Sequence, residues 1–127
     1  MIVNIGIDSV DHDLNSKMVE WDASERFPKR IFSNTELEYY ASNKDLRFLA
    51  GRFAAKEAVL KCLGTGMIDG LSLKEIDIRK TPNGQPQVHL SGKAKVMADQ
   101  LAITEWHISI SHSSNSSTAF VIAEKKQ

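Results

Sequence analysis

The 127-residue chain is short of several things. It has one cysteine, Cys62, so no intrachain disulfide can form, and a reducing cytoplasm is the expected setting. It has no net charge, because sixteen basic side chains balance sixteen acidic ones. Nothing in the bulk charge therefore points to nucleic acid or an anionic membrane as partner, and recognition of a polyanion has to come from a local cluster. No apolar run approaches the ~20 residues that span a bilayer. The opening "MIVNIGIDSV" lacks a basic segment and a small-residue cleavage site, and reads as a buried strand rather than a signal peptide. Linkers, repeats and long low-complexity tracts are also missing, so residues 1–127 are expected to form one domain.

The chain is 42% hydrophobic and 25% charged, a composition suited to one globular core. Alternation of apolar residues predicts a strand to about Val10, with Val3, Ile5 and Ile7 on one face and Ile2, Asn4 and Gly6 on the other. The polar stretch "DHDLNSKMVEWDASERFPKRIF" predicts one or two helical turns broken near Pro28. Ser33 or Asn34 caps a short helix in "SNTELEYYAS". Lys44 to Leu63 forms a long helix that stops at Gly64 and Gly66. "LSLKEIDIRK" alternates as a strand, "TPNGQP" turns at Asn83-Gly84, and "QVHLSG" returns. Ser91 caps a helix through Leu101, and "EWHISISH" and "STAFVIAE" are two further strands. The order predicts an α+β fold, an antiparallel sheet packed on the long helix.

"FLAGRFAAKEAVLKCLGTG" carries the chemistry that needs explaining. With Leu49 at zero on a helical wheel, Leu60, Phe53, Leu63, Val59 and Phe48 make one apolar arc. Lys56 falls inside that arc at about −20°, and Glu57 lies on its edge at about +80°. A buried ammonium is costly unless it is paired or reaches out to water, the commoner outcome for a lone lysine. Glu57 and Lys61 share a face four residues apart, beside the small Ala50 and Ala54. Their structural reading is an ordinary surface ion pair; their functional reading is an acid and a base left room for a ligand. Gly64-Thr65-Gly66 has a full explanation as a helix stop, and its backbone N–H groups are also able to face an anion beside Lys61.

Asp8 closes the first strand. It is either a solvated turn residue or, if buried, an acid in need of a partner or a metal. With Glu57 it would suit a hard cation such as Mg²⁺, which takes one or two carboxylates, waters and phosphate oxygens. His107 and His112 differ by five and so point to opposite faces of their strand.

Five stretches taken together, "IGIDSV", "RIFSNTELEYY", "FLAGRFAAKEAVLKCLGTG", "GQPQVHLSG" and "HISISHS", resemble the holo-[acyl-carrier-protein] synthases, the small trimeric class of 4′-phosphopantetheinyl transferases. They occur in family order over nearly the whole chain. The resemblance implies transfer of 4′-phosphopantetheine from coenzyme A to a serine of an apo acyl carrier protein, a step of fatty-acid biosynthesis or a secondary pathway. Adenosine 3′,5′-bisphosphate would be released. It also implies Mg²⁺ and a homotrimer with active sites between subunits. Asp8 and Glu57 match the metal-binding acids and Lys61 the lysine near the coenzyme A phosphates, these three forming the catalytic set. Gly64, Thr65 and Gly66 match the turn near the cofactor, and His112 matches a histidine near the nucleotide across the interface. No residue stands out as the base for the serine hydroxyl.

The segment after the first strand, basic in the family, is acidic or neutral here. The nearby cations are Arg26, Lys29 and Arg30, with Arg47 further on, and Ser113 stands where many members have aspartate. Two other function classes fit the same residues: another Mg²⁺-dependent phosphoryl-transfer enzyme, and a non-catalytic module that binds coenzyme A or a carrier protein.

Overall fold

The computed structural model describes residues 1–12, 26–43, 45–64 and 70–126, with only the backbone for 26–28. In chain order the elements are β1 (Ile2–Asp11), α1 (Arg26–Ile31), α2 (Asn34–Asn43), α3 (Leu46–Cys62), a 3₁₀ turn (Leu73–Glu75), β2 (Ile76–Lys80), β3 (Pro86–Leu90), α4 (Gly92–Gln100), β4 (Glu105–His112) and β5 (Ser116–Glu124). An antiparallel sheet of order β1-β5-β4 lies against the long helix α3, and β2-β3 form a separate hairpin. This is the expected α+β arrangement. Among the described residues no helix is long and apolar enough to cross a membrane.

Alternation alone did not place β1 correctly. A register shift between Ile2 and Asn4 turns Val3 toward the core, while Ile5 and Ile7 face outward, 50% and 55% exposed. The strand is buried on one face only. Gly6 is its innermost residue: a Cβ there would stand 2.0 Å from the Ala58 carbonyl oxygen of α3. The missing side chain lets helix and strand backbones touch.

Helix ends follow their local chemistry. Ser33 caps α2 with a capping box: the Glu36 N–H donates to Ser33 Oγ (3.1 Å), and the Ser33 N–H donates to Glu36 Oε1 (2.8 Å). Asp45 caps α3 by accepting from the Arg47 N–H at 2.9 Å. Gly64, at φ +77°, ends it and donates to the Lys61 carbonyl. Pro28 lies within α1 rather than breaking it; in a first turn its missing N–H leaves no intrahelical bond unmade.

Two expectations are corrected. The strand read into "LSLKEIDIRK" begins only at Ile76, because a Ser72–Glu75 capping box winds the first half into a 3₁₀ turn. Ser91 stands at the start of α4 but its side chain makes no capping bond; Glu75 Oε1 accepts from the Lys93 N–H instead. At the other end of α4, Ile103 N–H donates to the Ala98 carbonyl and Ala102 N–H to Asp99, the Schellman pattern, with Ala102 at φ +59°. Glycine is the residue that position favours. Ala102→Gly is expected to raise stability by about 0.5–1 kcal/mol, the left-handed strain relieved less the entropy glycine loses, read as a higher urea midpoint.

The core joins Ala54, Ala55, Ala58, Val59 and Leu60 of α3 to Ile76 and Ile78 of β2 and to Ala119, Val121 and Ala123 of β5. Lys56 sits in it, fully buried, and does not reach out to water. Its Nζ lies 2.7 Å from Glu36 Oε1 and donates to the carbonyls of Leu73 (3.0 Å) and Ile76 (2.5 Å), so all three protons are used. Glu36 Oε2 accepts from the Ile78 N–H at 2.8 Å. One buried pair therefore ties α2, α3, the 3₁₀ turn and β2 together.

Candidate active site

The near-contact of Gly6 with Ala58 fixes how the last turns of α3 lie over β1. Asn4 Nδ2 donates to the Cys62 carbonyl at 3.2 Å, and Lys61 Nζ donates to the Ile7 carbonyl at 2.6 Å. Asp8, two residues beyond Gly6 and on its face, comes to the same place. Lys61 Nζ lies 3.4 Å from Asp8 Oδ1, so the lysine reaches across to the strand instead of closing on Glu57 of its own helix. Glu57 is half-buried. Burial, and then the charge of Asp8, push its carboxyl above the ordinary value, against a smaller pull from Lys61. Asp8, some fifty positions from Glu57 and Lys61 in sequence, thus shares one electrostatic environment with them. Two carboxylates that repel each other beside one ammonium form an all-oxygen donor set suited to a hard divalent cation.

Gly64 follows directly, exposed, with nothing within 4 Å of where a Cβ would be, so its backbone is open to approach. Thr65 and Gly66 lie outside the described residues. Cys62 is buried under β1, its thiol pushed up to about 11 by burial, and takes no part.

His112 lies elsewhere. It packs on Gly51 of α3, and its Nδ1 is 2.6 Å from the Oγ of Ser117, a fully buried residue. It opens into a cavity of about 340 Å³ with Arg47, Arg52 and Lys80, walled by Tyr39 and Phe48, with Asp45 the acid present. Arg52 is 6% exposed, lies 4.7 Å over the Phe48 ring, and its Nε has no hydrogen-bond partner. Partial burial, then the charges of Arg47 and His12, lower the His112 pKa, so the ring is neutral at pH 7. A concave wall with three cations against one carboxylate, one of them with an unused donor, is built for an anion. None of Asp8, Glu57 and Lys61 lines it.

Reading the sequence missed the two glycines that set both groups. Gly6 carried a signal, since a glycine inside a strand marks close backbone approach. Gly51 carried less, being one glycine inside a helix. A Cβ at Gly51 would stand 2.8 Å from His112 Cε1. Gly51→Ala is expected to displace the ring while leaving helix α3 intact or firmer, since alanine is favoured over glycine by about 1 kcal/mol in a helix interior. The measurements are the His112 imidazole resonances, which should shift, and the urea midpoint, which should not fall. Arg52 and Lys80 were also missed, because cations on α3 and β2 have no telling spacing in the chain.

The sequence and the fold have counterparts among known proteins. Residues 4–122 match the 4′-phosphopantetheinyl transferase superfamily. The holo-[acyl-carrier-protein] synthase of Caldicellulosiruptor saccharolyticus is 44% identical over 128 residues, covering 100% of both chains. The crystal structure of the Neisseria meningitidis holo-[acyl-carrier-protein] synthase superposes with a TM-score of 0.86 at 31% identity, covering 98% of this chain and 100% of that one. The Bacillus anthracis synthase in complex with CoA (3′,5′-ADP) does so with a TM-score of 0.77 at 32% identity over 99% of each chain. Motif order, fold and full-length similarity agree, and the chain belongs to the 4′-phosphopantetheinyl transferase superfamily, among its holo-[acyl-carrier-protein] synthases.

Proposed function

We propose that this protein transfers 4′-phosphopantetheine from coenzyme A to a serine of an apo acyl carrier protein, through a site at Asp8, Glu57 and Lys61. The observation that carries this reading is the meeting of those three residues where α3 crosses β1. The serine oxygen bonds to the phosphorus that bears the pantetheine arm, its proton leaves to solvent or a carboxylate, and adenosine 3′,5′-bisphosphate departs. Mg²⁺ fits the donor set and would neutralise charge on the pyrophosphate oxygens. Asp8 and Glu57 hold that position rigidly, one on a strand and one on a helix. Lys61, half-exposed and 3.4 Å from Asp8 Oδ1, would stabilise charge built up on the phosphate oxygens during transfer. Gly64 leaves its backbone free beside them, and the family resemblance assigns Thr65 and Gly66 to the cofactor as well.

The cavity of Arg47, Arg52, Lys80 and His112 suits the nucleotide phosphates of coenzyme A. Because it is separate from the acidic group, a complete site needs two copies of the chain, and we read the assembly as a trimer. The outward face of β1 supports this: Ile5, Ile7 and Phe120 of the neighbouring β5 are exposed together, an apolar patch of the kind that marks an interface. Ile7→Asp should give monomers by light scattering and lose turnover. Exposed Lys29 and Arg30 on α1 are basic side chains placed to meet an acidic carrier surface. A reducing cytoplasm completes the reading.

Incubation with coenzyme A, Mg²⁺ and apo carrier proteins, followed by weighing the carriers, tests the function. A mass gain of one phosphopantetheine supports it; no gain on any carrier, with coenzyme A hydrolysed or merely bound, overturns it.

A further inference from the structure

At the far end of the sheet from His112, β4 begins opposite the end of β5. Glu105 and Glu124 are directly paired across the two strands, a placement in which like charges repel. His107, two residues along β4, shares their face, and its Nε2 lies 3.0 Å from Glu124 Oε1. One ligand atom from each of Glu105, His107 and Glu124 falls within 4.8 Å of the other two. All three side chains are open to solvent, at 37%, 56% and 33% exposure. The hydrogen bond from His107 holds the Glu124 carboxyl below its ordinary range. The apposed charge is met by His107 and by Lys126, whose Nζ is 3.1 Å from Glu105 and whose side chain, 74% exposed, is free to swing away. The phosphopantetheine-transfer reading uses none of these residues.

We propose that Glu105, His107 and Glu124 form a second metal site, for a borderline divalent ion of the zinc type. An imidazole with two carboxylates selects such an ion over Mg²⁺ and Ca²⁺, which prefer oxygen alone. Three protein ligands leave an open position for water. Binding displaces Lys126 from Glu105 and uses the His107 Nε2 that otherwise faces Glu124. The ion would clamp edge strand β4 to β5, with a structural rather than catalytic effect.

Zn²⁺ is titrated calorimetrically into the full-length protein with excess Mg²⁺ present to occupy the Asp8–Glu57 position, and Co²⁺ is used as the visible-absorption probe. The wild type should bind one Zn²⁺ per chain at this site and melt at higher temperature with Zn²⁺ than without. His107→Ala should weaken binding by at least about tenfold, since even supporting partners of metal ligands are worth that much. Glu124→Gln should weaken it too, and carrier modification in Mg²⁺ should be unchanged in both. Zinc-dependent movement of the His107 imidazole resonances in the wild type, with those of His12, His89 and His112 unmoved, gives a reading that needs no variant. Zn²⁺ affinity unaltered by His107→Ala, or His107 resonances that ignore Zn²⁺, would overturn the assignment. Either result leaves the transferase reading standing, as that rests on carrier mass gain.

Discussion

Glu57→Gln is expected to abolish carrier modification and, at the same time, to make the folded protein more stable near neutral pH. The two effects share one cause. Burial and the neighbouring Asp8 raise the Glu57 pKa in the folded state above its ordinary 4.5. A carboxyl whose folded pKa is raised costs stability wherever it is ionised in both states, and the cost fades as pH falls through the folded value toward the unfolded one. Glutamine keeps the shape and removes the charge, so the variant should show a higher urea midpoint than wild type at pH 7. The gap should close as pH is lowered toward 4.5, the ordinary value. With Glu57 in its proposed role as a metal ligand, the loss in turnover is expected to be about 10³-fold or more, several kcal/mol of charge stabilisation. Asp8→Asn should match it in turnover. A variant that loses both activity and stability would identify Glu57 as a structural acid instead.

Lys56→Met is expected to be the most damaging change to stability. It leaves Glu36 charged and fully buried without its partner, a loss of about 3–5 kcal/mol. That is a large part of the 5–15 kcal/mol typical of a domain. The double variant Lys56→Met/Glu36→Gln should recover part of the loss, because removing both charges removes the uncompensated one. Recovery is incomplete because Glu36 also accepts from the Ser33 and Ile78 N–H groups, and an amide has one oxygen for two donors. Urea unfolding of the two single variants and the double variant measures this coupling. Leu60, the apolar neighbour in the same core, should lose about 2–5 kcal/mol on truncation to alanine through the cavity alone.

How far the sequence could be read follows from which features are local. Ser33 and Gly64 act on their own helix ends, and such ends are visible in a few residues, whereas Asp45 was read as part of the helix it caps. Hairpin β2-β3 was legible for the same reason, through Asn83-Gly84. The bulge at the start of β1 was not, because it depends on register against β5, and it sends Ile5 and Ile7 to the outside. Glu75 was read as part of a strand, yet it caps two helical starts, one of them eighteen residues away. For the site, Asp8, Glu57 and Lys61 stood out as polar residues in apolar stretches, resemblance to a family gave them roles, and their convergence needed the fold. What brings them together is Gly6, whose role lies in an atom it lacks. The cationic wall was half legible: His112 stood in a recognisable stretch, whereas Arg52 and Lys80 gather around it only once α3 meets the β2 hairpin.

The central claim is that Asp8 and Glu57 hold one divalent cation beside the pyrophosphate of coenzyme A. A crystal soaked with Mn²⁺ and coenzyme A, with the metal located by anomalous scattering, tests it without intermediates. The account predicts a single ion bonded to an oxygen of both carboxylates and to a phosphate oxygen, at the ~2.0–2.2 Å of metal–oxygen bonds. An ion held by one carboxylate or neither, or a pyrophosphate bound away from both, would contradict it.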